Sequence, residues 1–211
     1  MNISNKNEEL KDVYAIAYSL CDKDKLYCVE FSNGVTMNVS AEEFFEHSLY
    51  DSDEPVSGGF ELFCKKLYSK RAFSEGVRFV LNSRKSEQQI RKLLLDKNYD
   101  EECVENAIDN LREDEYINDA AFALKLIKKA VESRIVSTRM LICELKQKGI
   151  SEEVAEACME KLEIDDYLLA VKAVNKKRAS GIDDIRKLQR FLAGKGFSGE
   201  IIRKIFHEDF S

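Results

Sequence analysis

A single proline, nine glycines and no tryptophan in 211 residues leave this chain short of the residues that interrupt helices. Average usage is about 5% proline and about 7% glycine, so both shortages point to a mostly helical protein. Histidine occurs only at His47 and His207, neither near a candidate nucleophile, so acid–base and covalent catalysis have no visible constellation. The six cysteines (Cys21, Cys28, Cys64, Cys103, Cys143, Cys158) make no C-x-x-C pair and have no histidine at a ligand spacing, which removes the common zinc patterns. They read as reduced thiols, with Cys103, Cys143 and Cys158 inside helical patterns and expected to be buried. No apolar run approaches the ~20 residues of a membrane span. Lys6, Glu8, Glu9, Lys11 and Asp12 interrupt any signal-peptide core. The glycines never form a dinucleotide-binding or P-loop signature. Carboxylate pairs such as Glu152-Glu153, Asp165-Asp166 and Asp183-Asp184 stand at helix starts, where capping and the helix dipole account for them. The expectation is a cytoplasmic protein that is no enzyme, holds no metal or cofactor and has no membrane partner.

With 44% hydrophobic residues the chain has enough apolar side chain to build a core. Its first forty residues are β-rich. Val13 to Tyr18 and Leu26 to Phe31 are short strand-like runs around the polar Asp22-Lys23-Asp24-Lys25, and Ser32-Asn33-Gly34 leads into Val35 to Val39. Asn-Gly is the pattern of a two-residue hairpin loop with positive φ at both positions. Ser40 is placed to cap a short helix over Ala41 to Tyr50, and the lone proline, Pro55, lies in a polar stretch, Asp51 to Gly59, that reads as a linker.

From about Phe60 onward the pattern is helical and repeats itself. Lys97-Asn98-Tyr99-Asp100-Glu101-Glu102 matches Lys148-Gly149-Ile150-Ser151-Glu152-Glu153 at an offset of 51, and Lys195-Gly196-Phe197-Ser198-Gly199-Glu200 after a further 47. Asn98, Gly149 and Gly196 tolerate the left-handed conformation that ends a helix, and Asp100, Ser151 and Ser198 are good N-caps for the next. Apolar positions keep the register: Ile90 and Leu94, Leu141 and Leu145, Leu188 and Leu192. After the turns, Val104, Ala107, Ile108 and Leu111 correspond to Ala155, Cys158, Met159 and Leu162. A further helix precedes each pair, over Glu61 to Leu81, Asn118 to Ser133 and Asp166 to Arg178; in the second copy Ala120, Ala123, Leu124, Ile127 and Val131 form its stripe. The fold class is therefore mainly α. Three tandem three-helix repeats in an elongated array (60–117, 118–165, 166–211) follow a small N-terminal domain of a β-hairpin or three strands plus a helix (1–59).

The net charge of −6 conceals an asymmetry. Residues 1–63 carry 4 basic and 13 acidic side chains, 64–166 carry 19 and 21, and 167–206 carry 10 and 3, so the third repeat is a +7 module in an acidic chain. Its cations are Lys172, Lys176, Lys177, Arg178, Arg186, Lys187, Arg190, Lys195, Arg203 and Lys204. Arg186 and Arg190 lie one turn apart, off the apolar stripe of Ile185, Leu188 and Leu192. A solvated helix face accounts for such a run; the alternative is a face that meets nucleic-acid phosphate or an acidic protein surface.

The strings Tyr116-Ile117-Asn118-Asp119-Ala120-Ala121-Phe122-Ala123, Glu144-Leu145-Lys146-Gln147-Lys148-Gly149-Ile150 and Arg190-Phe191-Leu192-Ala193-Gly194-Lys195-Gly196-Phe197 resemble the RecX family, over about residues 65–211. The resemblance implies a non-enzymatic modulator of the RecA recombinase that docks in the groove of its filament on single-stranded DNA. It also implies that such a protein restrains ATPase, coprotease and strand-exchange activity in DNA repair, homologous recombination and the SOS response. Two positions depart from the family pattern: Asn98 stands where glycine is usual, and Glu132 to Ser137 lacks the Gly-rich, basic character common there. The residues expected to face filament or DNA are Arg134, Arg139, Lys172, Lys176, Lys177, Arg178, Arg186, Lys187, Arg190 and Lys195, in a monomer. The alternatives are a helical-repeat protein that binds DNA directly, or an interaction scaffold with an unrelated partner.

Overall fold

The computed structural model describes residues 12–21 and 25–208. The charges read at Lys6, Glu8, Glu9 and Lys11, and the polar turn except for Lys25, lie outside the described residues. The chain forms two compact units, Met1–Ala72 and Phe73–Ser211.

In the first unit, strands β1 (Ala15–Cys21), β2 (Leu26–Phe31) and β3 (Thr36–Val39) make an antiparallel sheet in that order. The Ser32–Gly34 turn differs from the expected two-residue loop. Phe31 N–H donates to the Val35 carbonyl at 2.8 Å across three loop residues, and of Asn33 and Gly34 only Gly34 has positive φ, +82°. A three-residue loop needs the left-handed conformation at its last position alone, and glycine is there to take it. Ser40 caps α1 (Ala41–Glu46) with a full capping box: Glu43 N–H donates to Ser40 Oγ at 3.2 Å and Ser40 N–H to Glu43 Oε2 at 2.7 Å. The helix ends at Glu46, short of Tyr50, because Ser48 turns to φ +50°.

The long helix α2 (Phe60–Asn82) contributes Phe60, Phe63 and Leu67 to the core of this sheet, where Tyr27 stacks on Phe44 at 4.1 Å and Phe31 meets Phe60 edge-on at 5.0 Å. Glu43 is nearly buried, and Arg71 clamps it with Nε and Nη2 at 2.7 and 2.8 Å. Burial alone would raise the Glu43 carboxyl; the Arg71 guanidinium and the Ser40 N–H outweigh it and hold the pKa below the ordinary range. The stretch read as a linker is tied into the same unit. Val56 is in the core and donates its N–H to the Val13 carbonyl at 2.8 Å, and Pro55 bridges Tyr14. Its polar composition concealed one apolar anchor.

The second unit holds the rest of α2 with α3 (Glu87–Leu95) and α4 (Glu101–Glu113), then α5 (Asp119–Ser133), α6 (Thr138–Gln147) and α7 (Glu152–Lys161), then α8 (Asp166–Ala179), α9 (Ile185–Gly194) and α10 (Gly199–Glu208). The expected helix-stop geometry is present in all three copies. Asn98, Gly149 and Gly196 sit at φ +63°, +79° and +86°, and the following Tyr99, Ile150 and Phe197 donate back to Leu94, Leu145 and Leu192. Asp100, Ser151 and Ser198 then cap the next helix by accepting from Cys103, Val154 and Ile201 N–H. The stripe residues Val104, Ala107, Ile108 and Leu111 are fully buried. Ala120 is exposed, at the first turn of α5, and so is Cys143, which lies off the Leu141–Leu145 stripe; neither is the core residue that periodicity suggested.

Consecutive repeats are joined by one device used twice. Ser86, the N-cap of α3, is fully buried and donates its hydroxyl to the Lys148 carbonyl at 2.6 Å, while Asp119, one repeat further on, accepts the Glu87 N–H at 3.0 Å. Ser137, the N-cap of α6, is equally buried. It donates its N–H to the Lys195 carbonyl at 3.1 Å, and Asp166 accepts the Thr138 N–H at 2.7 Å. The glycine after each lysine packs against the serine: a Cβ on Gly149 would lie 2.6 Å from Ser86 Oγ, and one on Gly196 2.6 Å from Ser137 Oγ. Gly149 and Gly196 thus answer two demands, positive φ and close approach. Asn98 answers only the first, since no three-helix repeat precedes its own, and asparagine suffices for that.

Ile135 shows a related economy. It takes φ +48°, a conformation that costs a β-branched residue about 1–3 kcal/mol, yet its side chain is buried in the core of the third repeat with Leu169, Val174 and Leu188. Burial of an isoleucine side chain contributes about 1.5–3 kcal/mol, enough to offset the strain.

Candidate binding surface

The third repeat is built to keep its apolar residues inward and its cations outward. On α9, Asp184 accepts the Lys187 N–H at 2.8 Å and starts the helix, Leu188 and Leu192 are fully buried, and Arg186, Lys187 and Arg190 are left exposed. On α8, Ala170, Ala173 and Val174 face the core while Lys172 and Lys176 are exposed. None of these five cations makes an ion pair among the described residues; Arg190 Nε turns instead to the Arg186 carbonyl at 3.3 Å.

The other candidates are engaged. Lys177 Nζ lies 5.0 Å and Lys195 Nζ 5.9 Å from the centre of the Phe191 ring, so one aromatic ring gathers cations from α8 and from the turn after α9. Lys195 also donates to the Arg134 carbonyl at 3.4 Å, which brings the end of α5 to the same place. Arg134 itself makes a two-pronged ion pair with Glu144 at 2.9 and 2.6 Å; those hydrogen bonds raise its pKa further, and its charge is already answered. Arg178 pairs with Asp183 at 3.1 Å. Arg139 is exposed on the first turn of α6. The structure therefore ties Arg134, Lys177 and Lys195 together about Phe191, and spreads Arg139, Lys172, Lys176, Arg186, Lys187 and Arg190 over the solvent faces of α6, α8 and α9.

The sequence-based set leaves out Lys204, which stands 4.7 Å over the Tyr167 ring, and the exposed Lys129 and Lys148 of the second repeat. Lys148 was signalled by its register with Lys97 and Lys195. Among the described residues no group of histidine, cysteine or carboxylate side chains is arranged to hold a metal ion, and no helix is long and apolar enough to cross a membrane.

Helices in three successive groups of three, joined by the same serine–glycine junction and closed by a basic last group, define a tandem three-helix repeat protein. Comparison with known proteins narrows the class. Residues 167–206 match the family description "RecX, third three-helix domain". "Regulatory protein RecX" of Treponema pallidum (strain Nichols) is 31% identical over 130 residues, spanning 61% of this chain and 79% of that protein. The protein of the same name from Clostridium botulinum (strain Alaska E43 / Type E3) is 27% identical over 179 residues, spanning 81% and 84%. A crystal structure of regulatory protein RecX covers 92% of this chain and 99% of its own with a TM-score of 0.62 at 20% identity, and RecX from Lactobacillus salivarius covers 67% and 96% with 0.57 at 20%. The chain belongs to the RecX family of regulatory proteins.

Proposed function

We propose that the protein is a non-enzymatic regulator that binds the RecA recombinase filament on single-stranded DNA and restrains its ATPase and strand-exchange activity, with the third repeat turned to the filament. The observation that carries this reading, beside family membership, is the set Lys172, Lys176, Arg186, Lys187 and Arg190. They are exposed, outside ion pairs among the described residues, and gathered on the one basic module of an acidic chain. Cations left without internal carboxylates are those that release counterions from a phosphate backbone when they meet it. The exposed helix faces and the lysines over Phe191 offer no stacking platform for bases, so the contact is with backbone charge rather than with sequence.

The test is the RecA ATPase on single-stranded DNA with the protein added. Inhibition is expected, and it should be lost with Lys176→Glu, Arg186→Glu and Arg190→Glu combined. An unchanged ATPase together with no binding to the filament would end the reading. The same exposed cations favour a second one, direct DNA binding without RecA. It requires tight binding to bare DNA that weakens steeply with salt.

A further inference from the structure

The three helix-ending turns carry a lysine at one register, Lys97, Lys148 and Lys195, and in two repeats that lysine lies over an aromatic ring. Lys97 Nζ is 5.8 Å from the centre of Phe79, and Lys195 Nζ is 5.9 Å from the centre of Phe191. The rings come from different helices, Phe79 from α2 and Phe191 from α9. The second repeat supplies neither: in register, Ala130 stands where the first repeat has Phe79, and Glu144 where the third has Phe191.

The space is open. A cavity of about 340 Å³ lies between α5 and α6 beside Lys148, floored by Leu126, Ile127, Ala130, Leu141 and Leu145. At its mouth Arg134 and Glu144 neutralise each other, so the charge left over is that of Lys129 and Lys148, both exposed and outside ion pairs among the described residues. The one uncharged side-chain hydroxyl in the lining, on Ser133, already donates to the Lys129 carbonyl at 2.7 Å.

We propose that this cavity receives a bulky aromatic side chain from an acidic segment of a protein partner, in the place that the first and third repeats fill with their own phenylalanine. An aliphatic floor suits a phenyl ring, and an ammonium at the rim meets its negative face as Lys97 and Lys195 meet theirs. The excess of positive charge at the mouth favours carboxylates on either side of the inserted residue. A nucleobase fits less well, because the lining offers no aromatic to stack on and its only free polar groups are the two lysine ammoniums at the rim, which donate but cannot accept. The proposal rests on the reading that the chain acts by binding a protein.

Protein labelled with ¹³C at its leucine and isoleucine methyls is titrated with a pentapeptide of four glutamates about a central phenylalanine, and with the same peptide carrying alanine instead. Ring-current shifts at Leu126, Leu141 and Leu145 are expected with the phenylalanine peptide, bound about tenfold more tightly than the alanine one. Ala130→Phe and Glu144→Phe, which fill the cavity as the first and third repeats do, are expected to keep the wild-type melting temperature, abolish those shifts and weaken binding to RecA on single-stranded DNA about tenfold. The proposal is overturned if the phenylalanine peptide moves none of these methyls, or if a folded filled variant still responds to it. It is overturned equally if oligodeoxythymidine shifts the same methyls more strongly than the peptide does. Wild-type protein that answers the peptide but ignores the filament would uphold the cavity and refute the functional reading.

Discussion

The first and third repeats share a frame of three helices and one turn signature, yet they dispose of their charge in opposite ways. In the first, Arg91 reaches Glu105 at 2.7 and 2.9 Å and Glu87 at 3.0 Å, Arg112 reaches Glu87 and Asp109 at 2.8 Å each, and Lys97 reaches Glu75 at 3.0 Å. In the third, five exposed cations on α8 and α9 have no such carboxylates among the described residues. A network of half-buried pairs serves the fold, whereas cations held apart from carboxylates contribute little to stability and leave their charge to the solvent face. The same helical scaffold therefore supports a closed repeat and an open one.

The sharpest way to break the parallel between repeats is at the turns. Gly196→Ala and Gly149→Ala force a Cβ to 2.6 Å from a buried serine oxygen at a positive φ, and each should cost about 2–4 kcal/mol in urea unfolding. Asn98→Ala meets only the backbone demand and should cost about 1 kcal/mol. Equal losses at the three positions would dismiss the junction as the reason for glycine.

Next in size is the charge contrast. Arg91→Ala should cost about 1–2 kcal/mol, because its side chain is only 29% exposed and its loss leaves Glu87, at 27%, with one fewer partner. Arg186→Ala and Arg190→Ala should fall within about 0.5 kcal/mol of wild type while weakening filament binding. Thermal denaturation beside a binding assay separates the two kinds of residue.

The smallest effect is in the pH dependence. Burial pushes the Glu87 carboxyl up, but Arg112 and Arg91 outweigh it and hold it below the ordinary 4.5. A carboxyl depressed in the folded state adds stability that is complete above its unfolded pKa and is lost as pH falls through the folded value, here below about pH 4.5. Asp119 has the opposite sign. Its half-buried carboxyl is raised, first by burial, so it favours the folded state as pH falls and takes that contribution back as pH rises. Glu87→Gln should flatten the acid limb of stability between about pH 7 and 3, and Asp119→Asn should steepen it, as read from urea unfolding at each pH.

Much of this frame was legible in the sequence because helix ends are local chemistry. Asp100, Ser151, Gly149 and Gly196 announce their roles within a few residues of where they act. The junction was not legible, since Ser86 and Lys148 stand 62 residues apart and periodicity places a side chain on a face without naming what covers it. Val56 escaped for a related reason, as one apolar residue in a polar stretch leaves no period to read. For the binding surface, the excess of cations could be counted but their partners could not. That Arg134 belongs to Glu144, and that Lys177 and Lys195 share Phe191, are facts of packing. The empty place under Lys148 was within reach of the sequence, once the three copies were compared for what one of them lacks.

The two serine junctions also bear on how the molecule comes apart. Each ties the start of one repeat's second helix to a carbonyl and a carboxylate of the next, so melting a repeat strands a buried hydroxyl or N–H in its neighbour. In a linear array such a penalty is a nearest-neighbour coupling energy, and two couplings of this kind are expected to make the three repeats melt together rather than one by one.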